Sequence, residues 1–315
     1  LRSGDGNFQG VRKAVIDVGS NSVLLTIEER TAERWKPVLE RSDVTSLGEG
    51  TKETRSLSEP GMARTLGAIA NDFRLAREHG CKEIVAAATM AARIAHNTPE
   101  FLTRAEAQGT PVVVLSGEQE AELGFRSVAG DESLAHGDRI SIIDVGGQST
   151  ELVTADRREA GWDLRFRRSY SIGTLALRGS VLAEESPDAR AILRAVCEID
   201  DAVGLVYLPN QAGSAITLGA TGTNLVAIRE HMTEWNPAKV HGAWLGYEEI
   251  SKAAGWLCSM TDAERRAVPG METGREKTLH IGALILERFL HAIRAEGCSV
   301  SVRGWRHALL EQGLP

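Results

Sequence analysis

Two stretches carry the residues that could do chemistry, and they are nearly the same stretch: AVIDVGSNSVLL at 14–25 and SIIDVGGQSTELV at 141–153. Each runs apolar residues into an aspartate, turns through glycine and small hydroxyl or amide residues, and resumes with aliphatic and β-branched residues. A tight glycine turn between two strands exposes backbone N–H groups that can form a nest for phosphate oxygens. Glycine belongs where a Cβ would block close approach. Ser20, Asn21, Ser149 and Thr150 add side-chain donors, and Gly146 and Gly147 supply open backbone. Asp17 and Asp144 fall at the ends of their strands, and two carboxylates beside phosphates suit a hard cation such as Mg²⁺. Such an ion would neutralise charge that develops during phosphoryl transfer. Ordinary D-x-G turn chemistry could explain one copy. It does not require the same acid twice.

The elements around these turns follow from periodicity. Strands are predicted over 12–18, 22–29 and 36–40, followed by a polar stretch, 41–58, with little period. Residues 59–79 place Met62, Leu66, Ile69 and Phe73 at helical spacing, and Gly80 stops that helix. A strand over 83–89 leads to a short helix with Thr98 as its cap and Pro99 as its first helical residue. After a strand at 111–116, Ser116 and Gln119 form a capping-box pattern that opens a helix to about Val128. The segment AGDESLAHGD, 129–138, reads as a boundary. Beyond it lie a strand near 163–170, helices near 174–183 and 188–206, and a strand at 213–219 running into a helix. Then come a mostly helical stretch, 244–296, a last strand at 299–304 and a terminal helix at 305–312. Strands alternating with helices give an α/β class. Two halves that open alike give a duplicated fold whose halves face each other across a cleft.

Composition sets the outer limits. The 315 residues exceed one typical core and suit two domains. A net charge of −7 argues against a general nucleic-acid binder. Apolar runs are short and broken, so no membrane span is expected. The opening residues LRSGDGNFQG lack the apolar run of a secretion signal. Four scattered cysteines without C-x-x-C fit a reducing cytoplasm, and eight scattered histidines without H-E-x-x-H argue against a His-ligated metal. The basic cluster Arg157, Arg158, Arg165, Arg167 and Arg168 reads as a charged hairpin edge.

The chain resembles the exopolyphosphatase/guanosine pentaphosphate phosphohydrolase family of the actin, sugar kinase and heat-shock ATPase superfamily, in its short two-domain form. The resemblance runs from Val11 onward. It rests on IDVGSNSVLL, ATMAARIAHN (88–97), LSGEQEAELGF (115–125), IDVGGQSTEL, YSIGTLALR (170–178), GATGTNL (219–225) and the tail from HGAWLGYEEI to METGR (241–275). It implies two ribonuclease H-like (actin-like) domains with an interdomain active-site cleft. Residues 11–130 form the first, joined by a terminal helix at 305–315, and 131–304 form the second. It implies hydrolysis of a terminal phosphate of polyphosphate or guanosine pentaphosphate with Mg²⁺, and leaves a homodimer open. Glu120 matches the family's catalytic base, Glu151 a functional carboxylate for water or metal, and Arg93 a phosphate-gripping arginine. Strand alternation sends Leu152 to the core and Glu151 to the cleft.

The sequence departs from the family at Gln148, where a third loop glycine is usual, and at Val302, where aspartate is usual; Arg275-Glu276-Lys277 replaces Arg-Ala-Asp. Gln148 is either tolerated by the turn or donates a hydrogen bond to phosphate in place of the backbone. These departures motivate a second reading, a non-catalytic sensor of guanosine tetra- or pentaphosphate. A superfamily kinase or ATPase is a third.

Overall fold

The computed structural model describes residues 10–32, 35–159, 161–204 and 213–313. The first half is built on a hairpin of β1 (Val11–Val18) and β2 (Ser22–Arg30), flanked by β3 (Trp35–Val44). A short helix α1 (Thr51–Thr54) and the long α2 (Glu59–Glu78) lead to β4 (Glu83–Ala88). Then come α3 (Met90–Ile94), α4 (Thr98–Ala107), β5 (Val112–Val114) and α5 (Gly117–Ala129). The strands form a five-stranded sheet in the order β3-β2-β1-β4-β5, antiparallel through β3, β2 and β1 and parallel from β1 to β5. The amphipathic face of α2, with Met62, Ile69 and Phe73, closes the core over Ile16, Leu25 and Ile27.

The second half repeats the scheme with β6 (Arg139–Val145), β7 (Thr150–Arg158) and β8 (Gly161–Tyr170). It continues through α6 (Thr174–Arg178), α7 (Ala189–Val203), β9 (Ser214–Leu218), α8 (Gly219–Arg229), α9 (Pro237–Val240) and β10 (Trp244–Gly246). It ends with α10 (Tyr247–Cys258), α11 (Asp262–Arg266), α12 (Leu279–Ala292), β11 (Gly297–Val300) and α13 (Trp305–Gln312). The six strands lie in the order β10-β11-β9-β6-β7-β8. Read from β8, this is the first sheet's order with one strand added. It is the two-domain, actin-like arrangement that the repeated hairpins lead one to expect. Helix α12 is buried on nearly every side because it lies between the sheet and α7, α8 and α10.

Two helices tie the halves together. Ala121, Phe125 and Val128 of α5 pack on Ile140, Ile142 and Val153 of the second sheet. Leu115 and Leu123 meet Val15 and Ala87 of the first sheet together with Trp305 and Leu309 of α13. The last helix therefore returns to the first sheet.

Local differences from the sequence reading have physical causes. Thr98 is the first helical residue rather than the cap; its hydroxyl donates to Ala92 O at 2.6 Å and Ala95 O at 3.0 Å, and Asn97 takes the cap position. Strand β3 runs on to Val44 because it pairs with β2 along its whole length. Residues 244–246 form an edge strand, set by pairing with β11 rather than by local pattern. Helix α6 ends at Arg178, short of 183. The helix expected over 188–206 runs to Val203, and positions 205 and 206 lie outside the described residues, as do 314 and 315 of the terminal segment. Each arginine of the basic cluster has a partner. Arg158 and Arg165 pair with Asp163, Arg167 with Glu118 and Glu122, and Arg157 and Arg168 lie over Trp162 and Tyr170. No helix among the described residues is long and apolar enough to cross a membrane.

Candidate active site

The two hairpins close with the same hydrogen bond: Gly19 N donates to Ser22 O at 2.9 Å, and Gly146 N to Ser149 O at 2.9 Å. A Cβ would come within 2.9 Å of Ser22 O at Gly19 and 2.8 Å of Ser149 O at Gly146, so close approach requires both glycines. Strand alternation does the rest. Ile16 and Val18 go to the core and Asp17 to the cleft side; Ile143 and Val145 go to the core and Asp144 to the cleft side. Leu152 is fully buried in the core, and its neighbour Glu151, opposite Asp144 across the strands, faces the cavity. The hairpins touch: a Cβ at Gly147 would lie 3.0 Å from Ser20 Cβ and 3.3 Å from Asn21 N.

Between the halves lies a cavity of about 650 Å³, within the range of small-molecule sites. Its walls include Asp17, Ser20, Asn21, Glu120, Asp144, Gly146, Gly147, Gln148, Ser149 and Glu151. Two of the expected site residues stand off it. Thr150 is fully buried and its hydroxyl donates to Ile172 O at 2.7 Å, so the side chain supports the loop. Arg93 donates to Glu120 Oε2 and Leu115 O at 2.7 and 2.9 Å, so its guanidinium grips the carboxylate.

Glu120 reaches the cavity through its capping box. Ser116 Oγ accepts from Gln119 N at 3.1 Å and Gln119 Oε1 from Ser116 N at 2.9 Å, fixing the first turn of α5 with Glu120 inward. Burial pushes the Glu120 carboxyl above its usual range and Arg93 opposes the shift. Burial raises Asp144 from 3.8 to about 7, helped by Glu120 and opposed by Arg306. Burial carries Asp17 well above its usual range, with Arg306 and Arg275 pulling down and Glu120 and Asp144 pushing up. Glu151 also rises well above its range through burial, Glu120 and Asp144, against hydrogen bonds from Ser169 and Ser149. Ser169 Oγ donates to Glu151 Oε1 at 2.6 Å. Four acids thus share one poorly solvated space, and a bound cation would relieve it. Among the described residues no three acidic, histidine or cysteine side chains converge into a ready-made cage. The expected trio Asp17, Asp144 and Glu151 is therefore not assembled as one. The donor set fits an ion held by one or two carboxylates, with water and ligand oxygens completing its shell.

Residues lining the same space carry further donors. None of the amides of Ser20, Asn21, Gly147 and Gln148 donates to another backbone carbonyl among the described residues. Among the described residues Asn21 Nδ2 is buried without a hydrogen-bond partner, and Arg275 Nε lies 3.4 Å from Glu272 Oε2. Gln148 lies outside the positive-φ region, so the turn accepts a side chain there; its Nε2 donates to Gly48 O.

Sequence reasoning missed three contributors. Arg306 reaches the cavity from α13, where its Nε donates to Thr26 Oγ1 at 2.7 Å. Arg275 lines the wall from the loop before α12. Gly219, at φ 77°, stands where a Cβ would come within 2.9 Å of Asp144 Oδ1. The glycine after a strand was a visible signal for the last of these. Nothing local marks Arg306.

The chain is 28% identical over 301 residues to exopolyphosphatase 2 of Mycobacterium tuberculosis, covering 90% of this chain and 91% of that one. It is 30% identical to the crystallised Ppx/GppA family member of Aquifex aeolicus, with a TM-score of 0.77 and coverage of 95% and 96%. An exopolyphosphatase from Cytophaga hutchinsonii shares the fold, with a TM-score of 0.84 at 21% identity over 96% of this chain and 97% of that one. The model of the Ppx/GppA phosphatase family matches residues 26–315, and the chain belongs to that family.

Proposed function

We propose that the cavity hydrolyses the terminal phosphate of inorganic polyphosphate, of guanosine pentaphosphate, or of both. The observation that carries this reading is the buried Glu120, held by Arg93 at 2.7 Å and facing a cavity it shares with both hairpins and with Asp17, Asp144 and Glu151. Glu120 takes a proton from water as the water oxygen bonds to the terminal phosphorus. The bridging P–O bond breaks, and inorganic phosphate leaves from a chain one unit shorter. Arg93 holds Glu120 in place and favours its ionised form. The hairpin amides and Asn21 Nδ2 are positioned donors for the transferring group. Asp17 and Asp144, with Glu151 beside them, would hold Mg²⁺, which supplies charge neutralisation for the phosphates. Arg275 and Arg306 add positive charge to an otherwise acidic wall.

The guanosine substrate is supported by Ala227, Met232, Trp235 and Met271, apolar residues in the cavity lining that suit a planar base. A sensor without catalysis has no need of a buried, positioned Glu120. The test is phosphate release by the protein with Mg²⁺, offering long-chain polyphosphate and guanosine pentaphosphate in parallel. Release from at least one is expected, with a loss of about 10²- to 10⁴-fold in Glu120→Gln. Tight nucleotide binding with no release from either substrate would overturn the hydrolytic reading.

A further inference from the structure

Residues 45–57 form a strap between β3 and α2. Both ends are fixed to the first half. The amides of Thr45 and Ser46 donate to Asn21 O at 3.0 and 2.9 Å. The Asn97 side chain brackets Leu57, accepting from its N at 2.8 Å and donating to its O at 2.9 Å. The middle reaches the second half. Lys52 Nζ lies 3.3 Å from Glu198 Oε1 of α7, and the Glu53 carboxylate lies where a Cβ on Gly179 would come within 3.3 Å. Gly48 O accepts from Gln148 Nε2.

These contacts are unequal. The Lys52–Glu198 side chains are 36% and 34% exposed, and exposed pairs contribute little. Gln148 is 3% exposed. Gly48 is wedged so tightly that a Cβ there would lie 2.8 Å from Ser20 Cβ, 3.1 Å from Gln148 Cγ and 3.2 Å from Ala91 Cβ. The same residue's N donates to Ser20 O at 2.7 Å. One residue of the strap, Gly48, therefore joins the backbone of the first hairpin to a side chain of the second. The amide orientation is forced, because a carbonyl can only accept. It leaves Gln148 Oε1 buried and unpartnered, an acceptor that cannot bond a phosphate oxygen.

We propose that Gln148 is a positioning residue, the bolt that fixes the strap, and through it the first phosphate hairpin, against the second. Its consequence for turnover rests on the hydrolytic reading above; the mechanical consequence does not. Hydrogen exchange over peptides spanning 45–57 reads the bolt directly. In Gln148→Met, which keeps length and removes the donor, strap exchange should rise roughly tenfold, the loss of about one net hydrogen bond. Gln148→Gly should give at least as much. Lys52→Ala should leave exchange close to wild type. Phosphate release should show kcat falling in Gln148→Met with KM nearly constant. Unchanged strap exchange in both Gln148 variants overturns the proposal even if the protein releases no phosphate. So does strap loosening in Lys52→Ala equal to that in Gln148→Met. A raised KM with an undisturbed strap would also overturn it, because that is the signature of a direct phosphate contact.

Discussion

The two hairpins have the same turn and different surroundings. The first presents one acid to the cavity, Asp17, and its carbonyls are tied down: Ser20 O to Gly48 N, and Asn21 O to Thr45 N and Ser46 N. Its Ser20 Oγ accepts from Ala91 N at 3.2 Å. The second presents two acids to the cavity, Asp144 and Glu151, paired across adjacent strands. Its support comes from the start of α6, where Thr174 N bonds Gly146 O at 3.0 Å and Leu175 N bonds Gly147 O at 2.7 Å. A duplicated motif has thus diverged in its supports more than in its turn. Both copies are anchored by chain from their own half and offer backbone donors, and the second alone sets two carboxylates side by side. Such division is expected when one ligand must be both gripped and acted on.

The sharpest way to break that contrast is to neutralise each acid in turn. Asp144→Asn should lower phosphate release by about 10²- to 10⁴-fold, the range for losing a positioned electrostatic group. Asp17→Asn should fall in the same direction but less. Both should melt higher than wild type without Mg²⁺, because each removes a raised carboxyl from a crowded, poorly solvated space. Equal activity in wild type and Asp144→Asn would end the idea that the second hairpin is the reacting one.

A smaller effect tests the supports. At Gly173 a Cβ would come within 2.4 Å of Gly147 O and 2.5 Å of Gln148 N, both backbone atoms with nowhere to retreat. Gly173→Ala should cost about 1–3 kcal/mol in chemical denaturation, as overpacking does. It should also disturb the second hairpin more than the first, which feels the change only through Gln148 and the strap. Wild-type stability in this variant would mean the second hairpin is not braced by α6.

What the sequence shows of this site follows from how local each cause is. Asp17, Asp144 and Glu151 were legible because strand alternation fixes which side chains leave the core, and alternation is a property of a few neighbouring residues. The resemblance singled out Glu120, and Ser116 and Gln119 announce the helix start that carries it. Arg93 and Thr150 were named but given phosphate, when partners distant in sequence, Glu120 and Ile172, hold them. Arg306 was invisible even though the resemblance sends the terminal helix to the first domain, because which of that helix's side chains enters the cavity depends on packing against Thr26 and not on local pattern. The strap at 45–57 has no periodicity to read; its conformation comes from hairpin carbonyls and from Gln148. The departure at Gln148 was visible as a missing glycine, but its bonding partner lies a hundred positions away.

The gentlest test separates the hairpins by protons. Asp144 titrates at about 7 in the folded protein against an ordinary 3.8, because burial and Glu120 disfavour its charge. Between those two values the folded chain holds a proton that the unfolded chain has released. Without a cation, stability should therefore fall as pH rises from about 4 to 7, since it drops wherever the native state binds more protons. Asp17 and Glu151 shift in the same direction and add to that fall. A divalent cation held by one or two of these carboxylates would replace the protons, so its stabilisation should grow as pH rises. At a hundredfold excess over its Kd a ligand contributes about 2.7 kcal/mol, or several degrees in melting temperature. Melting scans with and without Mg²⁺ should show little gain at pH 5 and a clear gain at pH 8. The pH 8 gain should shrink more in Asp144→Asn than in Asp17→Asn if the second hairpin carries the greater part of the ion. The same gain at both pH values would mean that the protonation of these carboxylates does not govern binding, and the charge asymmetry between the hairpins would then concern the water and the phosphate alone.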